Sequence, residues 1–190
     1  MPQKIRLHDN FEVNFTLKGF TSIQIGIYFF LLGYAYKYIL ESFLIEGHAI
    51  GFLSPEIIEI IFISITATFA SLSSLALFFS GKRIAKKFQL LLWNGKTKTI
   101  FLKYLIGIIV FSYLLILLMR QGFIDFMMPA FSIIYALFLF LVKNKARENL
   151  LILSCLSLLL GVLCFVIPSY WYAAFTILAI AHITYGLVTQ

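Results

Sequence analysis

The residues through which this chain could do chemistry are few and scattered. Three histidines, His8, His48 and His182, fall in separate parts of the sequence. The topology derived below puts His8 on the inner side of a membrane, His48 on the outer side and His182 within a span. The three histidines therefore cannot share one metal ion. No Cys-x-x-Cys pair, zinc-protease motif, glycine-rich phosphate loop or Ser/His/Asp arrangement is present. The sequence therefore predicts no catalytic residue, no cofactor and no metal ligand.

A group of acidic residues is the one place where a divalent cation could bind. Glu46, His48, Glu56 and Glu59 lie close together in the sequence, and carboxylates are the ligands that Ca²⁺ and Mg²⁺ prefer. Neither the spacing nor the number of ligands is diagnostic. Acids that topology alone puts on the outer side explain the group equally well, so the interpretation without a metal is favoured.

His182 is the most informative single residue, because it stands in an otherwise uncharged run from Asn149 to Gln190. It shares a helical face with Ala179 and Gly186, which predicts that it faces other helices rather than lipid. Two interpretations remain open, a proton-sensitive element and a neutral histidine hydrogen-bonded to a neighbouring helix. The second is favoured.

The composition of the chain indicates the class of fold in which these residues lie. Of 190 residues, 62% are hydrophobic and 12% are charged, whereas a soluble domain is about a quarter charged. Long uncharged runs predict an all-α integral membrane protein. The net charge of +7 then reflects topology and affinity for anionic lipid rather than a nucleic-acid surface, because the basic residues are confined between apolar runs.

Six apolar runs are long enough to be membrane spans. Residues 1–18 are predicted to form a cytoplasmic or interfacial segment ahead of them. The predicted spans are residues 19–40, 57–80, 100–119, 123–142, 149–167 and 169–189. The second span is rich in serine, threonine and alanine, and small residues let helices approach closely, so it is predicted to be central in the bundle. A stripe of small residues on the fifth span predicts a packing contact; it comprises Ser154, Ser157, Gly161 and Cys164.

The segment from Gly81 to Lys103 carries seven of the fifteen Lys and Arg residues. Its first part has apolar residues at helical spacing, which predicts a short amphipathic helix on the membrane between spans two and three. The lipid-facing basic patch would bind anionic head groups; it comprises Lys82, Arg83, Lys86 and Lys87. A solvated loop with no partner is the alternative, and the two are weighed equally.

The distribution of charge predicts the orientation. With both termini in the cytoplasm, the inner segments hold thirteen Lys and Arg residues, and the outer side holds Lys37 and Arg120. Cytoplasmic loops carry such an excess. The predicted location is therefore a bacterial-type cytoplasmic (inner) membrane, with the N- and C-termini inside.

One structural ion pair is predicted at the outer edge of the bundle, between Lys37 on the first span and Glu59 on the second. Both would lie at similar depth on antiparallel neighbours, on faces of small residues. Glu41, four residues beyond Lys37, is the competing partner, although Lys before Glu is the weaker order within a helix. Snorkelling of Lys37 to the head groups is the third option.

The last two spans carry a resemblance. The segment LLLGVLCFVIPSYWYAAFTILAIAHITYGLV, with Gly161, Pro168 and Gly186, resembles the two-span unit of HdeD-like small membrane proteins. It covers about a fifth of the chain. The resemblance implies an acid-stress-associated inner-membrane protein without catalysis, and it brings no site residues with it.

These observations favour a non-enzymatic membrane protein with a structural or stress-related role, and allow a homo-oligomer. The alternative is a small transporter or channel subunit that works as an oligomer, and a membrane-embedded enzyme comes third. A water-filled cavity or a broken helix that reaches mid-membrane would favour transport, whereas a dry bundle filled by its own side chains would favour the structural role.

Overall fold

The computed structural model of the chain describes residues 17, 19–44, 53–87, 93, 95–123, 126–142 and 150–189. These residues are almost entirely helical, and no strand occurs among them. The predicted N-terminal segment lies outside the described residues except for Leu17, which is buried. The six helices are α1 (Phe20–Leu44), α2 (Pro55–Lys87), α3 (Gly95–Arg120), α4 (Met127–Val142), α5 (Leu150–Val166) and α6 (Trp171–Val188).

Three segments within the described residues are long and apolar enough to cross a membrane: Glu56–Lys86, Thr97–Arg120 and Pro168–Val188. Two shorter apolar helices, Met127–Phe140 and Leu150–Val166, accompany them. Helix α1 is also long, and its apolar sequence is interrupted by Gln24, Lys37 and Glu41. The fold is therefore an all-helical membrane bundle.

The helix ends follow the chemistry of their residues. Gly122 has φ +77°, and its N–H donates to the Met119 carbonyl at 3.0 Å while the Phe123 N–H donates to the Leu118 carbonyl at 3.0 Å. This is the Schellman motif, in which a left-handed glycine satisfies the last carbonyls of a helix. Between α5 and α6, Pro168 opens a 3-10 turn, Pro168–Tyr170, because its ring cannot continue the preceding helix.

Helices α1 and α6 form the closest pair. Gly26 lies so near α6 that a Cβ there would be 2.7 Å from the Ala179 carbonyl oxygen, and a Cβ on Gly186 would be 2.6 Å from Ile23. At the far end of the pair, Gly33 meets Phe175 in the same way. Glycine permits this close approach because it has no side chain. The resulting van der Waals contacts stabilise the helix pair, since the hydrophobic effect does not drive helix association within lipid.

Helices α4 and α5 form the second close pair. The Ser154 hydroxyl donates to the Ala136 carbonyl at 2.7 Å and the Ser157 hydroxyl to the Ser132 carbonyl at 2.8 Å. Gly161 packs against Ser132 and Ile133. The predicted packing contact along this stripe of α5 is confirmed, and α4 is its partner.

An aromatic cluster joins the two pairs. The side chain of Phe29 on α1 is fully buried, and its ring lies against Phe131 and Tyr135 of α4 and Phe175 of α6 at centroid distances of 5.4–6.3 Å. Phe69 of α2 completes the contact at 4.9 Å. Such tilted and edge-on arrangements are the favourable ones for aromatic rings.

The expected central position of the second span is wrong. Helix α2 is at the periphery, and many of its small residues, such as Ser64, Ala67 and Thr68, are exposed. The hydroxyls of Ser64 and Thr68 donate to carbonyls four residues earlier, at 2.8 Å each. They therefore satisfy their own polarity without another helix, and a small-residue composition alone did not require a helix contact.

The separate amphipathic helix is also not formed as predicted. Helix α2 continues without a break from Pro55 to Lys87, so Lys82, Arg83 and Lys86 belong to its last turns. Gly81 is the only residue of low helix propensity at that point, and one glycine costs about 1 kcal/mol, too little to end a long helix. Residues 88–92 lie outside the described part of the chain.

Candidate functional site

A cavity of about 310 Å³ lies between α1, α2, α3 and α4. It exists because α2 and α3 contact each other and the rest of the bundle less than the two close pairs do. The cavity is partly open rather than sealed. Its wall comprises Leu17, Ile25, Phe29, Phe62, Ile63, Thr66, Ala67, Phe69, Ala70, Ser73, Leu77, Tyr104, Gly107, Ile108, Phe111, Ser112, Leu115, Ile116, Met119, Met127, Phe131, Ile134, Tyr135 and Phe138.

The chemistry of this wall is apolar. None of its residues is charged, and its polar side chains are confined to three hydroxyl residues, Thr66, Ser73 and Ser112, and two tyrosines, Tyr104 and Tyr135. A ligand pocket is typically apolar with a few placed polar groups, and 310 Å³ lies at the lower end of the usual size. The wall suits a hydrocarbon ligand and offers no counter-charge to an ion.

The cavity is long and follows the helix axes. On α3 its residues recur at every turn from Tyr104 to Met119, a distance of about 22 Å at 1.5 Å per residue. On α2 they recur in the same way from Phe62 to Leu77. This length is most of the roughly 30 Å hydrocarbon thickness of a bilayer. The shape fits an extended chain better than a compact molecule.

Two hydroxyl pairs mark different levels of the cavity. The Tyr36 hydroxyl forms a short hydrogen bond with the Thr66 hydroxyl on α2. Lower down, the Tyr104 hydroxyl lies 2.8 Å from Ser74 Oγ, and Ser74 donates its own proton to the Ala70 carbonyl at 2.6 Å. Tyr104 is therefore the donor in its pair with Ser74, and this pair links α2 to α3.

Ser73 is different from these hydroxyls. Its Oγ is buried and has no hydrogen-bond partner within the described part of the chain, and the residue belongs to the cavity wall. A buried hydroxyl without a partner is unfavourable by about 1–3 kcal/mol. A ligand that carries an acceptor at this level would remove that cost.

His182 lies behind the cavity wall and is fully buried. Tyr135 OH is 2.7 Å from its Nε2, and Ser22 Oγ is 3.3 Å from its Nδ1. Because Ser22 donates its proton to the His182 carbonyl at 2.8 Å, Ser22 Oγ accepts from Nδ1–H. Nε2 then accepts from Tyr135. A neutral imidazole satisfies every one of these bonds, and the ring stacks on Phe29 at 5.4 Å.

The predicted Lys37–Glu59 ion pair is not the pair that the structure contains. Lys37 Nζ lies 3.6 Å from Glu41 Oε1 and 4.6 Å from the centre of the Tyr172 ring on α6. The face of α1 that bears Gly26, Gly33 and Lys37 does meet another helix, but that helix is α6 rather than α2. This exposed pair between neighbouring turns contributes little to stability, about 0.3–0.5 kcal/mol.

The basic patch lies at the end of α2. Lys82, Arg83 and Lys86 are exposed, and Lys87 is the last residue of the helix, with its side chain outside the described part. The first turns of α3 add exposed Lys98 and Lys103. The basic ends of these two antiparallel helices therefore bound the same end of the cavity as Leu77 and Tyr104.

Metal ligands do not cluster in the described residues. No three His, Cys, Asp or Glu side chains come together there. Glu56 is exposed and Glu59 is half-buried, while Glu46, His48 and His8 lie outside the described residues.

Sequence reasoning missed the cavity itself. The signal was present as small residues at helical spacing on α2, Thr66, Ala70 and Ser73, facing Gly107 on α3. Small residues on two helices permit either close contact or empty space, and only the positions of the helices decide between them. A Cβ added at Gly107 would meet no atom within 4 Å, so here the outcome is space.

Comparison with known proteins adds no relative: the chain matches no protein-family model, no curated protein and no solved structure.

Proposed function

We propose that this chain is a non-enzymatic, six-span membrane protein that holds one hydrocarbon chain of a lipid in the cavity between α2, α3 and α4. The observation that carries the proposal is the long, uncharged cavity of about 310 Å³. The bilayer supplies hydrocarbon chains at high concentration, and they share the length and chemistry of this space. A bound lipid would also serve the structural role expected from the sequence, because it would fill the bundle as side chains fill a dry core.

The six-span arrangement is part of the proposal. Helices α4 and α5 have 16 and 17 residues, or about 24–26 Å, which is slightly less than a typical hydrocarbon thickness of about 30 Å. A bilayer adapts to such a mismatch by local thinning at modest cost. The basic ends of α2 and α3 support a cytoplasmic location for that side, in a bacterial-type inner membrane.

The same geometry disfavours an ion channel or an ion-coupled transporter within one chain. An ion pathway requires polar or charged groups facing a water-filled space, and the residues of this cavity wall carry no charge. A transporter of apolar molecules would use the same cavity, so transport remains the second candidate.

The test is photo-crosslinking with a fatty acid that carries a diazirine near the end of its chain, applied to the purified protein in detergent. Crosslinks should map to α2, α3 and α4. Gly107→Leu should reduce labelling at least about fivefold, because leucine would project into the open space at Gly107. The helix should remain intact, since leucine favours helix over glycine by close to 1 kcal/mol.

The matched control is Ile109→Phe, which adds bulk to an exposed position on the opposite face of α3. It should leave labelling unchanged. Equal labelling of the Gly107→Leu variant and the unsubstituted protein would refute a chain in this cavity.

A further inference from the structure

The lipid that would occupy the cavity can be specified further, and this step rests on the proposed function. One end of the cavity is bounded by Leu77 on α2 and Tyr104 on α3. Lys82 follows Leu77 by five residues, about 7 Å along the helix axis. Lys103 directly precedes Tyr104. Positive charge therefore stands just beyond this end of the space.

This charge is not neutralised by the helices that carry it. The acids of α2, Glu56 and Glu59, lie in its first turns at the opposite end, and α3 contains no acid. Lys82, Arg83, Lys86, Lys98 and Lys103 are all exposed. Such a group of basic residues at a membrane surface attracts anionic head groups.

A polar group inside the cavity agrees with a phospholipid. Ser73 lies one turn deeper than Leu77, and its buried hydroxyl has no protein partner among the described residues. A lipid ester carbonyl is an acceptor located between the head group and the hydrocarbon chain. An inserted chain would bring such an acceptor towards Ser73, whereas a plain hydrocarbon would leave its proton unbonded.

We propose that the occupant is an anionic phospholipid of the leaflet that adjoins the basic ends of α2 and α3. One acyl chain fills the cavity, and the phosphate lies among Lys82, Arg83, Lys86 and Lys103. The chain enters from the side, between α2 and α3, because these two helices contact each other less than any other pair of consecutive helices does.

The experiment compares two diazirine phospholipids with the same acyl chains, one with a phosphatidylglycerol and one with a phosphatidylcholine head group. Each is added to the purified protein in detergent, and the crosslinked fraction is measured by intact-mass spectrometry. Phosphatidylglycerol should crosslink about tenfold more than phosphatidylcholine, since several basic residues each favour the anionic head group. Salt should reduce this preference.

Three variants separate the contributions. Lys82→Gln, Arg83→Gln and Lys86→Gln together should remove most of the preference for phosphatidylglycerol, with Lys103 retaining the remainder, and should leave phosphatidylcholine labelling unchanged. Arg120→Gln, at the opposite end of α3, should keep the preference. Ser73→Ala should lower the labelling by both lipids by a similar factor, because both carry the ester.

The outcomes distinguish the two proposals. Equal labelling by the two lipids in the unsubstituted protein, still reduced by Gly107→Leu, would overturn the anionic lipid and keep the chain-binding cavity. Labelling that Gly107→Leu does not reduce for either lipid would overturn both.

Discussion

The bond between Tyr135 and His182 holds three helices in one register, because Ser22 bonds the same imidazole from α1. Tyr135→Phe removes the donor and leaves the buried Nε2 without a partner. An orphaned buried acceptor costs about 1–3 kcal/mol, so we expect a clear fall in the unfolding temperature in detergent. Tyr113→Phe is the control, because that side chain is 68% exposed and should leave the temperature unchanged.

A second substitution tests whether the loss arises from the bond itself. Combining Tyr135→Phe with His182→Leu removes both partners, and apolar replacement of both is far less costly than removal of one. The double variant should therefore lose less stability than the sum of the two singles. Strictly additive losses would show that the two side chains do not act together.

The extent to which the sequence predicts the contacts of a residue differs from residue to residue. The helical spacing of His182 with Ala179 and Gly186 predicts an inward face, and all three are buried on the α6 surface. Its partners were not predictable, since Ser22 and Tyr135 lie 160 and 47 residues away. Lys37 shows the opposite case: the helix that adjoins its face is α6, so its side chain lies by Tyr172 and Glu41 rather than by Glu59.

At the scale of the helix, one substitution made at two glycines should have opposite effects. Gly186→Ala places a Cβ 2.7 Å from the Gly19 carbonyl and 2.9 Å from the Ile23 nitrogen. These backbone atoms cannot rotate away, so α1 and α6 must separate. We expect a net loss of about 1–3 kcal/mol, as for overpacking elsewhere, measured by thermal or denaturant unfolding in detergent.

Gly107→Ala is the matched variant on α3. Its Cβ enters open space, so only the helix propensity changes, by up to about 1 kcal/mol in favour of alanine. Gly107→Ala should therefore be neutral or stabilising. A loss of stability there equal to that of Gly186→Ala would contradict the difference between a closed contact and a cavity.

Helix pairing is where the sequence carried least information. Apolar periodicity and turn residues predict that helices exist, and Pro168 and Gly122 mark two breaks through their own backbone chemistry. The contact along the small-residue stripe of α5 was also predicted correctly, although the same kind of stripe on α2 lines a cavity instead. The partner of each helix was not, since α1 packs on α6 rather than mainly on α2.

For the whole molecule, the six-span orientation predicts which surfaces are accessible from each side. In a background of Cys155→Ala and Cys164→Ala, single cysteines replace Gly95, Gln121 or Ser169, all exposed. In intact cells an impermeant maleimide should label positions 121 and 169, and position 95 only after permeabilisation. The expected contrast is at least about tenfold, since the membrane excludes the reagent.

Labelling of positions 95 and 121 from the same side would show that α3 does not span. Labelling of position 169 only after permeabilisation, with 121 accessible, would mean that α4 and α5 do not both cross.

Composition predicted an all-helical membrane protein because a polar coat is missing from the sequence. Composition could not predict the cavity, because its volume depends on the distance of α2 and α3 from the two close helix pairs.

The pairing of α1 with α6 also has a consequence for biosynthesis. Ser22 and His182 are separated by 160 residues, and ribosomes add about 5–20 residues per second, so α1 emerges roughly 8 to 30 s before its principal partner. Throughout that interval the glycine-lined face of α1, with Gly26 and Gly33, has no α6 to pack against. During synthesis this face of α1 must therefore either stay open to other helix partners or be covered by a temporary one until α6 is made.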